Sequence, residues 1–447
     1  MVLETDTLKL LPASLAALEQ AFDGLPPVDT EPDIDAIDDV LRQVAVRLRD
    51  NFPYPHPLYA GQMLKPPHPI ARLAYTLALW INPNNHALDG GRASSAMEKE
   101  AVAAIAAMFG WPDAFLGHLA SGGTVANLEA LWIAGKVKPG KTVVASQQAH
   151  YTHSRISGVL GIPFKSVAVD RYGRLDLRAL EALLETGMVG TVVATLGTTG
   201  FGTVDPLPAI LELRQRYDFR IHVDSAYGGY FRLAGNLGAQ AASAMDAISE
   251  ADSIVIDPHK HGLQPYGCGC VLFRDPSLGR YYEHGSPYTY FSSDELHLGE
   301  ISLECSRAGA SAVALWATQR LLPLVRGGEF AGDLEKSRAA ALKLYEYLTD
   351  DPDELTLFAP ELDIVVWAPR AASASAISAL SVDLFSRTAA RDLHLATMSV
   401  PASLAAANWS GIEFDQDSVT CLRSCLMKPE HLDWIDRIWS IYKSVRQ

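Results

Sequence analysis

The sequence predicts an α/β fold: a mostly parallel sheet covered on both faces by helices. Short β-branched or apolar runs recur at 142–145, 166–169, 191–196, 220–224, 253–256 and 270–273. Helical patterns lie between several of them, such as 176–185 with Leu177, Leu180, Leu183 and Leu184 on one face. That alternation is the mark of strands joined by crossover helices. Polar residues with chemical potential also collect at the ends of the runs. Asp224 closes one and Lys260 lies just beyond another. In open parallel sheets the ligand site lies at those carboxyl ends.

In chain order, two helices are expected near Pro12–Ala21 and Ile34–Leu48. The prolines at 53, 55 and 57 and at 66, 67 and 69 then exclude regular helix or central strand. This segment reads as an arm laid over another surface. Ser95 with Glu98 is a capping-box pair, opening a helix with Val102, Ile105, Met108 and Phe109 on one face. The strand-bearing stretch follows, then a long helix over Ala308–Leu322, then a mixture of helices and strands. The expected division is an N-terminal arm at 1–85, a large domain at 86–322 and a smaller C-terminal α/β domain at 323–447.

Composition narrows the class. The 447 residues are 48% hydrophobic and 20% charged, as in ordinary globular proteins, and too many for one small core. A formal net charge of −15 opposes binding to nucleic acid or an anionic membrane. Five cysteines, odd in number and late in the chain, read as reduced thiols. With an acidic N-terminus and no long apolar run, the expected location is the cytoplasm.

Lys260 and Asp224 together specify a chemistry. An amine can form an imine with an aldehyde, and a carboxylate can keep a pyridine nitrogen protonated so that the ring accepts electrons. A pyridine aldehyde, pyridoxal phosphate (PLP), needs both. Gly122-Gly123-Thr124 before a helical pattern is either a plain helix entry or, beside such a pair, a phosphate cradle. His150 follows a strand, where an imidazole either stacks on an aromatic cofactor or serves structure. His150 with its neighbour His153 could suggest a metal, but Cys268 with Cys270 and His259 with His261 have the wrong spacings for zinc, so no metal is expected. Thr198 and Thr199 close another strand as cofactor-facing hydroxyls or as a polar turn, with Asp205 as a supporting partner. Dinucleotide, Walker and nucleophile-elbow motifs are missing.

On Asp257-Pro258-His259-Lys260, on 222–229, on Gln148-Ala149-His150 and on 195–199, the chain resembles the group II PLP-dependent amino-acid decarboxylases. The resemblance implies PLP fold type I and a homodimer with the site at the subunit interface. It implies Lys260 as the imine lysine and Asp224 at the pyridine nitrogen. Ala226 and His150 are placed on the two ring faces, Gly123, Thr124 and His259 at the phosphate, and Thr199 near the ring oxygen. Tyr288, or else Tyr290, corresponds to a loop tyrosine that returns a proton to carbon. The sequence departs from the family at Asp257, where some members carry asparagine, and at His261-Gly262 after the lysine. The implied reaction is decarboxylation of an L-amino acid through an external aldimine and a quinonoid. The alternatives are another fold type I reaction (carbon–carbon lyase or aminotransferase) or a non-catalytic PLP-binding protein. Arg423 could grip a substrate carboxylate, but a structural ion pair is the favoured reading. The segment Asn82–His86 is either a pocket contributor or a turn.

Overall fold

A computed structural model of the chain describes residues 3–28, 30–283 and 298–446. Its larger sheet has seven strands: β1 (Leu116–Ala120), β2 (Thr142–Ser146), β3 (Phe164–Val167), β4 (Val189–Thr195), β5 (Arg220–Asp224), β6 (Ser253–Ile256) and β7 (Gly269–Phe273). They lie in the order β1-β7-β6-β5-β4-β2-β3. Only β7 runs against the rest, antiparallel to β1 and β6. β2, β4 and β6 are buried along their length, and β5 is buried beyond its first residue, Arg220, which is why they read as apolar and β-branched runs. Their carboxyl ends open on the same edge.

The smaller sheet is antiparallel: β8 (Glu354–Thr356), β9 (Ile364–Pro369), β10 (Ala396–Pro401) and β11 (Ser418–Cys425), in the order β10-β11-β9-β8. Residues 58–60 lie along it, with Ala60 N–H donating to the His394 carbonyl and Cys425 N–H donating to the Ala60 carbonyl. The main apolar cluster crosses from one sheet to the other, from Val192 and Ile254 to Leu362, Ile364 and Val419.

Three local expectations fail. Pro69 does not exclude a helix but starts one, Pro69–Leu79, because the first helical residue needs no N–H partner. The helix expected to open at Ser95 begins at Arg92. Glu98 is buried and accepts instead from Asn85 Nδ2, the Leu119 N–H and Arg307 Nη1. Finally, β1 was not foreseen, because Gly117 and His118 interrupt its apolar pattern.

Candidate active site

A single cavity of about 410 Å³ collects the ends of these strands. His150 follows β2, Thr199 follows β4, Asp224 ends β5, and Asp257, His259 and Lys260 follow β6. Asp224 pairs in register with Val255, so β5 and β6 deliver Asp224 and Lys260 as neighbours. From the β1 side comes the Gly123–Val137 helix, whose first residues, Gly123 and Thr124, also line the cavity. Gly197 turns the chain after β4 at φ +101°, and a Cβ there would lie 2.8 Å from the Gly228 nitrogen. Only glycine fits that turn.

Asp224 is 5% exposed. Burial pushes its carboxyl toward the neutral form, but a hydrogen bond from His153, together with the nearby His153, His222 and Lys260, outweighs burial and holds it well below the ordinary carboxylate range. The His153 Nε2–H donates to Asp224 Oδ2 at 2.8 Å, and the Ala226 N–H donates to Oδ1 at 3.1 Å. Behind them His222, whose imidazole burial pushes down to about 3, bridges Ser253 Oγ and Asn127 Oδ1.

Burial also lowers His150. The Thr152 N–H donates to His150 Nδ1 at 3.3 Å, so the neutral ring carries its proton on Nε2. His259 is the opposite tautomer, because its Nδ1 meets the Cys268 carbonyl at 2.8 Å and must donate. Lys260 Nζ lies 3.0 Å from Asp257 Oδ2.

Residues 32–367 match the pyridoxal-dependent decarboxylase conserved domain. The chain belongs to this family. Among its relatives, an L-tyrosine decarboxylase of Enterococcus faecium is 30% identical over 443 residues, covering 76% of this chain and 71% of the relative. An L-aspartate decarboxylase of Thermococcus kodakarensis is 29% identical over 285 residues, covering 63% and 72%. In fold, the chain is similar to mouse CSAD, with a TM-score of 0.79, 20% identity and coverage of 97% and 92%. It is also similar to Oryza sativa TDC crystallised with PLP and tryptamine, with a TM-score of 0.78, 18% identity and coverage of 96% and 91%. The protein is therefore a PLP-dependent amino-acid decarboxylase of fold type I, and PLP is its cofactor.

The cavity of this decarboxylase fits that cofactor. It presents an amine, a carboxylate held ionised, and a helix start that no side chain of the described residues caps. All eight cofactor-facing residues anticipated from the sequence line it: Lys260, Asp224, Ala226, His150, Gly123, Thr124, Thr199 and His259. Other anticipated residues fall elsewhere. Asp205 does not support Thr199; it accepts from the Leu175 and Thr195 N–H groups, where burial pushes it up to about 7. Among the described residues Arg423 forms no ion pair, and its guanidinium donates to the Thr199 and Gly200 carbonyls and to Gln62 Oε1. Asn84 and Asn85 tie together Ser94, Glu98, Ser306 and Arg307 outside the cavity. Tyr288 and Tyr290 lie outside the described residues. The sequence reading named His153 only as a neighbour of His150 and missed its bond to Asp224, which no pattern in the sequence signals.

Proposed function

We propose that the protein removes the α-carboxylate of an L-amino acid of the tyrosine class, acting as a cytoplasmic homodimer. One observation carries the reading: Lys260 and an ionised Asp224 face one cavity from adjacent strands. Lys260 would hold the cofactor aldehyde, Asp224 the pyridine nitrogen, and Gly123, Thr124 and His259 the phosphate. Ala226 and His150 would flank the ring, with Thr199 near its oxygen. When bound, PLP supplies a ring that accepts the electron pair left as the carboxylate departs.

The chain's own residues set the conditions for that step. Asp224, locked by His153 and the Ala226 amide, keeps a proton on its ring partner. The His150 Nε2–H stands at the cavity wall as a proton-holding group. Tyr288 is the proposed acid that returns a proton to carbon. Among the described residues lining the cavity, Lys260 is the only lysine or arginine, and Arg423 is spent on backbone carbonyls. A second carboxylate on the substrate would find little to pair with there, which favours tyrosine over aspartate. The test is CO2 release across the proteinogenic amino acids, with tyrosine expected to turn over fastest. Lys260→Ala should lose both turnover and the visible absorbance of bound PLP; undiminished CO2 release by that variant would refute the assignment.

A further inference from the structure

Where the cofactor's phosphate would sit, the chain already holds an anion. The carboxylate of Asp257 is 2% exposed. Its Oδ2 is 3.0 Å from Lys260 Nζ and 3.6 Å from His259 Nε2, while its buried Oδ1 has no hydrogen-bond partner among the described residues. Both oxygens press on the start of the Gly123–Val137 helix: a Cβ on Gly123 would lie 2.6 Å from Oδ2 and 2.9 Å from Oδ1. The first amides of a helix lack intrahelical acceptors and favour an anion. Here no side chain of the described residues caps them.

We propose that Asp257 is a built-in competitor for the cofactor's phosphate, holding Lys260 and the anion seat in the cofactor-free protein and weakening PLP retention. The inference rests on the assignment of this cavity to PLP. A phosphate ester entering the cradle would face a carboxylate a few ångströms away in a water-poor wall, where like charges repel strongly. It must also draw Lys260 away from its ion pair. An uncharged side chain at this position would remove the repulsion and release the lysine. Asp257 is thus a positioning and affinity-setting residue, outside the group that touches reacting atoms.

The contrast between phosphorylated and unphosphorylated ligand isolates the effect. Wild-type, Asp257→Asn and Asp257→Ala proteins, stripped of cofactor, are titrated with PLP and with pyridoxal at one pH and followed by visible absorbance. Both substitutions should tighten PLP by about tenfold or more relative to pyridoxal, because only PLP carries the repelled charge. Pyridoxal binding reports that each variant is folded, and its ratio to PLP cancels any effect of freeing Lys260. Tightening by Asn alone would overturn the proposal, since the new amide could simply donate a hydrogen bond. Unchanged or weakened PLP binding in both variants would overturn it as well. A wild-type protein that takes up neither ligand would instead defeat the underlying PLP-site reading.

Discussion

Asp224 is so enclosed that burial by itself would push its carboxyl toward neutrality, and only its neighbours keep it charged. The principal neighbour is His153, itself buried and joined to Asp224 through Nε2 at 2.8 Å. Replacing His153 with Leu removes a charge-assisted hydrogen bond, worth roughly a ten- to hundredfold loss in turnover if Asp224 must stay ionised. His153→Gln, which can still donate an N–H, should recover part of that loss. The pH effect has a definite sign. A carboxyl held below its ordinary value contributes stability at higher pH and loses it as pH falls through the depressed value. Without His153 that value rises, so acid should strip bound PLP from the Leu variant at a higher pH than from wild type. Superimposable acid limbs for the two proteins would show that His153 does not govern Asp224. None of this was legible in the sequence, because His153 and Asp224 lie 71 positions apart and meet only through the fold.

Among the elements, the Ile34–Leu48 helix stands out for what it leaves uncovered. None of its residues is buried, and Ile37, Val40, Leu41, Val44 and Leu48 recur at helical spacing with 45–62% exposure. A stripe of this kind is the signature of a face covered by another surface. The proposed second copy of the chain would supply that cover. Val40→Asp combined with Val44→Asp should therefore shift the protein from dimer to monomer in sedimentation or light scattering; a wild-type chain already monomeric at micromolar concentration would end the dimer reading. The strands, in contrast, were largely legible. A strand buried on both faces writes its burial directly into β-branched and apolar residues, and 220–224 and 253–256 appear with the expected bounds. β1 escaped because its Gly117 exists to let β7 approach, with a Cβ there only 2.4 Å from Leu272 Cδ2. Glu98 misled for a related reason: its carboxylate is used at long range by Arg307 and Leu119, whereas a capping reading looks only to neighbours in sequence.

At the scale of the whole molecule, the smaller sheet contributes to the cavity without lining it. Asp363, just before β9, accepts from the Tyr227 hydroxyl at 2.6 Å and lies 3.2 Å from His261 Nε2. These two partners directly follow Ala226 and Lys260 in sequence, and all three side chains are almost wholly buried. Burial pushes the Asp363 carboxyl up, but His261 and Tyr227 outweigh it and keep it ionised. One acidic side chain at the edge of the smaller sheet thus bonds one loop of the larger one, at Tyr227, and lies against a second, at His261. Arg423 of β11 does the same for the carbonyls of Thr199 and Gly200. Asp363→Ala would strand the buried Tyr227 hydroxyl and remove the acid beside His261, at a cost of about 1–3 kcal/mol in unfolding free energy, read from denaturant titration. A purely structural role predicts no more than that loss. A positioning role predicts in addition weaker PLP binding and a lower kcat at saturating PLP, because the Ala226 and Lys260 loops would lose their common anchor. Tyr442→Phe supplies the comparison: it breaks another buried bond, to Glu354 at 2.8 Å, remote from the cavity-lining residues. That variant should lose stability while keeping wild-type PLP affinity. If Asp363→Ala likewise keeps wild-type affinity, the two sheets share a core but not a function.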